Sequence, residues 1–236
     1  MSFTLAEVVP WGRSYDEYLA MFSLTPVDLQ QKILGCSDGP ASFNRVLSAR
    51  GGAIISIDPI YYFTVEEIKK RIDETYEVVL AQTRKNKDEF IWENIASVEE
   101  LGRIRMAAMT SFLEDYSQGK AQGRYRADSL PHLSFNDQEF GLALCSHFLL
   151  LYSAQLSLEF HLASIRELCR VAPEVRIFPL LELGAKKSRH LKSLVTKLEK
   201  EDYHIEIRKV AYQFQKGGNE MMIIKSATPT TDLQPE

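Results

Sequence analysis

Two features of this 236-residue chain are suited to hold a ligand: the run Gly35-Cys36-Ser37-Asp38-Gly39-Pro40, and a lone acid, Asp58, nineteen positions after Gly39. Glycine permits a tight turn and close backbone approach, and a helix that starts after such a turn offers N–H groups without partners. A carboxylate directly after a strand accepts both hydroxyls of a ribose, and a strand, helix, strand unit spaces it about 20 residues from the turn. Together these describe an adenosine site. Asp58 also has a plainer use, capping a following helix, but its combination with the glycine turn favours the ribose role. His147 closes the apolar run Phe140 to Cys145 with Ser146. It stands where a strand opens into a cleft, placed to take a proton from a bound molecule, although histidines beside apolar runs more often pack in the core.

The elements around these residues follow from local patterns. Lys32 to Leu34 reads as a short strand that stops at Gly35, Pro40 suits a first helical position, and Phe43, Val46 and Leu47 give that helix one apolar face. Gly51-Gly52 ends it, and Ala53 to Ile57 forms the next strand. Ser14 with Glu17 marks an N-terminal amphipathic helix over 14–23. Thr64 with Glu67, and Ser97 with Glu100, mark long helices to about Arg84 and Tyr116 inside a helical segment, 62–123, far longer than a crossover needs. Strands return at Arg124 to Ala127, Phe140 to Cys145 and Val175 to Leu181, with a helix from Ala154 to Val171 between the last two. A helix over 188–201 then precedes His204 to Phe214, the turn Lys216-Gly217-Gly218-Asn219 and Glu220 to Lys225, an antiparallel hairpin closed by a Gly-Gly turn. The expected architecture is an α/β three-layer sandwich around a mostly parallel sheet. It forms one domain over 1–225, with a helical cap over 1–30, a helical insertion over about 62–123 and a disordered tail over 226–236.

Over roughly residues 30–61 and 124–225, the order and type of elements resemble the class I, Rossmann-like S-adenosylmethionine-dependent methyltransferases. Gly35 to Gly39 are similar to the glycine-rich first motif, with Gly35, Cys36, Ser37 and Gly39 as cofactor contacts, and Asp58, followed by Pro59, to the acid that holds the ribose. Arg126 to Pro131 resembles the third motif, which implies that Asp128, with Ser129, faces the adenine amino group. Asp137 to His147 resembles the fourth strand and the turn beneath the methyl donor, which brings in Ser146. The terminal hairpin, a feature that dehydrogenase Rossmann domains usually lack, is the family's too. A seven-stranded sheet, S-adenosylmethionine as cofactor and methyl transfer to a small-molecule acceptor are what the resemblance implies. Two positions depart from the pattern of many members: Ile33 stands where an acid commonly orients the methionine end, and Ser37 where a glycine is common. Arg13, in the N-terminal Gly12 to Tyr18 segment, is the candidate to compensate by pairing bidentately with the methionine carboxylate.

Composition narrows the partners. A net charge of −4 provides no general field for nucleic acid or anionic lipid, and the basic run Lys186 to Lys192 reads as a solvated helix face. Cys36, Cys145 and Cys169 lack C-x-x-C spacing and the histidines lack ligand spacing, so neither a disulfide framework nor a metal site is expected. No basic-then-apolar leader opens the chain, and Phe140 to Tyr152 is too short to span a bilayer, so the expectation is a soluble cytoplasmic protein. Two rival readings stand beside methyl transfer: a non-catalytic cofactor-binding or interaction protein of the same fold, and a nicotinamide-dependent dehydrogenase, which shares the turn and the ribose acid.

Overall fold

The computed structural model describes residues 9–226. Expectations for the first eight residues and for the tail beyond 226 lie outside the described residues. The strands are β1 (Lys32–Cys36), β2 (Ala53–Ile57), β3 (Tyr125–Arg126), β4 (Leu142–Ser146), β5 (Glu174–Phe178), β6 (His204–Lys209) and β7 (Glu220–Lys225). They form one sheet in the order β3-β2-β1-β4-β5-β7-β6. The first five run parallel, with β1 central between β2 and β4. β7 inserts antiparallel between β5 and β6, pairing Glu174 with Lys225 on one side and Lys209 with Glu220 on the other. This is the α/β three-layer arrangement expected from the sequence, a mostly parallel seven-stranded sheet closed by an antiparallel hairpin.

The helices are α1 (Tyr15–Phe22), α2 (Phe43–Ala49), α3 (Val65–Lys85), α4 (Val98–Ala121), α5 (Leu158–Val171) and α6 (Leu191–Glu199). Alternation along the strands sorts side chains to two faces. Leu34, Cys36, Cys145, Val175 and Ile177 pack against Ile165 and Leu168 of α5 and Leu194 and Leu198 of α6. Ile33, Ile54, Leu142, Leu144 and Ile223 pack against Tyr18, Met21 and Phe22 of α1 and Phe43 and Leu47 of α2. α1 is thus part of a core layer, with Tyr18, Met21 and Phe22 fully buried. α4 lies on α2 and β3 in the crossover position, and α3 packs on α4 through a cluster containing Ile68, Ile72, Met109 and Phe112. Both halves of the Thr64/Glu67 capping box form, and acids in the first turn with Arg84 and Lys85 in the last complement the α3 dipole.

Several boundaries differ from the sequence reading for local reasons. β1 continues through Gly35 and Cys36, so Gly35 is a strand residue and the turn begins at Ser37. α2 starts at Phe43 rather than Pro40, and the Ser42 N–H just before it donates to Arg13 O at 3.0 Å. α4 extends beyond Tyr116 to Ala121, and α5 begins at Leu158, capped by Ser157, rather than at Ala154. The run Val175 to Leu181 divides at Pro179, which cannot donate to a ladder; Leu181–Glu182 instead pairs with Lys186–Lys187 in a separate two-stranded ribbon. The hairpin is the largest difference. β6 ends at Lys209, and Val210 N–H donates to Asn219 O at 2.9 Å. Residues 211–218 therefore leave the sheet as a long excursion instead of a tight Gly-Gly turn.

Candidate active site

The C-terminal ends of β1, β2 and β4 open into one cleft with two lobes. The larger, about 660 Å³, lies among the turns after β1 and β2, the start of α3 and the segment after β3. The smaller, about 140 Å³, lies between the β4 and β5 ends, the Trp11–Arg13 segment, α3, α4 and the hairpin excursion. Ser37, Gly39 and Asp58 border both lobes. Cys36, Pro59, Asp128 and Ser129 line the larger lobe, whereas Arg13, Ser146 and His147 line the smaller. Of the residues singled out from the sequence, Gly35 alone faces neither lobe: a Cβ there would stand 1.9 Å from Asp38 Oδ2, so its role is to let that carboxylate fold back under the turn.

The turn is held by a compact network. Ser37 N–H donates to Ile57 O at 2.8 Å, and Ser37 and Gly39 both have positive φ, 56° and 53°. A Cβ on Gly39 would meet nothing nearer than Asp58 Oδ2 at 4.0 Å, so the backbone there borders open space. Asp58 divides its oxygens: Oδ2 accepts from Gly39 N–H at 3.0 Å and Oδ1 from Ile60 N–H at 2.9 Å. The second bond is the helix cap considered from sequence, formed on the one-turn helix Pro59–Tyr62. Burial outweighs these two bonds and pushes the Asp58 carboxyl up to about 6. Tyr61 OH donates to Gly39 O at 2.6 Å and fixes the far side of the turn. Asp128 forms an ion pair with Arg126 at 3.0 Å and accepts from Ser134 Oγ at 2.7 Å.

Asp38 was missed as a site residue. It borders the smaller lobe, accepts from Tyr18 OH at 2.7 Å and Ser56 Oγ at 2.6 Å, and is pushed by burial up to about 6. A local signal existed, since Asp38 is the one acid inside the glycine turn, but its partners lie 20 and 18 positions away. On the opposite wall, Arg13 Nη1 donates to Trp11 O at 2.6 Å, while its Nε is buried without a partner. Behind it, Arg105 is completely buried and pairs with Glu17 at 2.5 Å. Tyr212, on the hairpin excursion, donates to Glu17 Oε1 at 3.0 Å and accepts from Arg105 Nη2 at 3.3 Å. His147 has a positive φ of 51°, and its Nδ1 lies 3.0 Å from Ser146 Oγ. Burial, reinforced by Arg13 and Arg105, holds this imidazole well below its usual pKa, so the ring is neutral at neutral pH. The excursion also reaches the helical insertion, with Ile91 N–H donating to Phe214 O at 2.7 Å and Lys216 N–H to Glu89 O at 2.9 Å. Among the described residues no group of three or more His, Cys, Asp or Glu could hold a metal ion, and no helix is long and apolar enough to cross a membrane.

No protein-family model matches the chain. The uncharacterized protein MJ0045 of Methanocaldococcus jannaschii is 35% identical over 222 residues, covering 94% of this chain and 97% of that protein. Among solved structures, magnesium protoporphyrin IX methyltransferase of Synechocystis PCC 6803, crystallised with S-adenosylhomocysteine (SAH), matches at a TM-score of 0.48 and 12% identity. That match covers 90% of this chain and 81% of the other. The methyltransferase domain of bacterial CtHen1 matches at a TM-score of 0.47 and 12% identity, over 89% of this chain and 97% of that one.

Proposed function

We propose that this chain, which belongs to the same family as the uncharacterized protein MJ0045 of Methanocaldococcus jannaschii, is an S-adenosylmethionine-dependent methyltransferase acting on a small molecule. One observation carries the reading: Asp58 and Gly39, joined by a 3.0 Å bond, form the partition between a roomy lobe and a small one at the strand C-terminal edge. In an open α/β sheet this edge is where ligands bind, and a donor with a nucleoside at one end and a reactive methyl at the other would straddle such a partition.

The residues present fit that donor. Each Asp58 oxygen uses one lone pair on a backbone N–H and keeps another for a ribose hydroxyl. Ile57, Ile60, Leu130 and Phe148 give the larger lobe apolar faces for a purine, with Asp128 and Ser129 at its rim for the amino group. Arg13, with its partnerless Nε, is the clamp for the methionine carboxylate, and Asp38 answers the positive charge at the same end. When bound, S-adenosylmethionine supplies an electrophilic methyl group on sulfonium sulfur. The protein aligns an acceptor atom in line with that methyl and keeps water out. His147 is neutral and lines the smaller lobe; as the candidate general base it is required only for an acceptor that arrives protonated. Calorimetric titration with S-adenosylmethionine, with NAD as comparison and Asp58→Ala as control, tests the reading. Saturable binding of the methyl donor, weakened at least tenfold in the variant, is expected. Binding of NAD instead would make the protein a dehydrogenase, and binding of neither would leave a non-catalytic member of the fold.

A further inference from the structure

We propose that β6 is the seam of a symmetric dimer, pairing antiparallel with β6 of a second copy so that one sheet runs through both chains. The inference is independent of the methyltransferase reading and rests on the open edge of the strand, the parity of its hydrogen bonds and the order of its charges. β6 ends the sheet, and among the described residues no strand pairs with its outer side. It is largely exposed, with Ile207 in its outer half leaving 46% of its surface to solvent. An edge of this kind is a template for another strand unless proline, a bulge or repelling charge blocks it. β6 contains no proline, and its residues follow β7 in unbroken register from His204 opposite Lys225 to Lys209 opposite Glu220.

The backbone fixes which residues face outward. Val210 N–H donates to Asn219 O at 2.9 Å, at the end of the β6–β7 ladder. Hydrogen-bonded and non-hydrogen-bonded positions alternate along an antiparallel pair, so His204, Glu206 and Arg208 also bond inward to β7. Ile205, Ile207 and Lys209 therefore turn their N–H and C=O groups outward. Outward positions must pair with outward ones, so a twofold axis lies beside a single residue rather than between two. The charges then select that residue. An axis at Glu206 or Arg208 sets two like charges directly opposite each other, and an axis at Ile205 or Lys209 leaves half of the strand or less paired. An axis at Ile207 sets Glu206 of each copy against Arg208 of the other, with Ile205 beside Lys209. Edge charges that would repel in other registers attract in this one. Glu206 and Arg208 already pair within one chain at 2.8 Å, with 47% of the Arg208 and 42% of the Glu206 side chain exposed, so the two pairs can merge into one alternating network. On the opposite face Ile207 meets Ile207, which removes an exposed apolar side chain of each copy from water.

Sedimentation equilibrium of the full chain at micromolar concentration, with hydrogen exchange on the same sample, tests the proposal. A monomer–dimer equilibrium is expected, with the outward amides of Ile205, Ile207 and Lys209 protected in the dimer. Glu206→Arg and Arg208→Glu each put like charges opposite one another, and each alone is expected to weaken the dimer at least tenfold. The double variant exchanges the two charges, restores opposite signs in the same register and is expected to recover dimerisation to within threefold. In the single variants the three outward amides are expected to exchange as exposed groups. The amides at positions 206 and 208, bonded to β7, stay protected, which also reports that the sheet is intact. A monomer throughout, leaving the edge for a strand of some other protein, overturns the proposal. A dimer indifferent to the single variants, or one that the double variant does not restore, overturns it as well, because the seam or its register then lies elsewhere.

Discussion

At the scale of single residues, the turn after β1 shows what this chain does differently from the family it resembles. Ser37 occupies the position where glycine is common, and it does so with φ of 56°, a conformation that costs an L-residue roughly 1–2 kcal/mol. The side chain offers no strong return, since its one hydrogen bond is the 3.7 Å contact with Cys36 Sγ. Ser37→Gly is expected to stabilise the protein by about 1 kcal/mol, part of the relief being offset by the greater freedom of glycine in the unfolded chain, read as a rise in the urea midpoint. The glycine turn and Asp58 were legible in the sequence because their geometry is local: a turn, a helix start and an acid one strand later. Asp38 and the Arg105–Glu17–Tyr212 cluster were not, since Arg105 and Glu17 are 88 positions apart, and Tyr212 and Glu17 195, brought together by packing alone. Gly35 was read as a ligand contact, whereas its bare α-carbon makes room for a neighbouring carboxylate.

At the scale of elements, helix starts marked by capping residues were readable at α1, α3 and α4, and misplacements fell where tertiary bonds outcompete local signals. The hairpin shows this best. Lys216-Gly217-Gly218 looks like a tight connection, yet its neighbours pair with Phe90 and Ile91 rather than with each other's strands. Ile91→Pro removes the amide that donates to Phe214 O without removing the donor or acceptor of the second bond. In hydrogen-exchange measurements the Lys216 amide, which donates to Glu89 O, is expected to exchange at least tenfold faster in the variant, with β1 and β4 amides still protected. Unchanged exchange at Lys216 would mean that the two bonds are not a cooperative unit.

At the scale of the whole molecule, the buried acids set a pH profile with opposing arms. Asp38 and Asp58 have folded-state pKa values of about 6, above the unfolded value near 3.8, so the folded state binds extra protons between those limits. Their contribution to stability therefore increases as pH falls from about 7 to 4. Glu17 is held at about 2, against 4.5 unfolded, chiefly by Arg105 acting against burial, so its contribution is present above about 4.5 and lost as pH falls through that range. Thermal unfolding from pH 3 to 8 is expected to peak in midpoint near pH 5, and Asp38→Asn to flatten the upper arm. A midpoint rising steadily to pH 8 would contradict the buried acids. Under the proposed function, affinity for a cationic methyl donor would run the other way, strengthening as these carboxylates ionise, so greatest stability and tightest binding would fall at different pH. The clasp between segments 89–91 and 214–216 carries a consequence for how this fold diversifies. It ties an addition between β2 and β3 to another between β6 and β7, two stretches encoded far apart. A recombinant that exchanges one of them with a relative inherits a mismatched wall for the smaller lobe, so under the proposed function selectivity for acceptors would be heritable only as a matched pair.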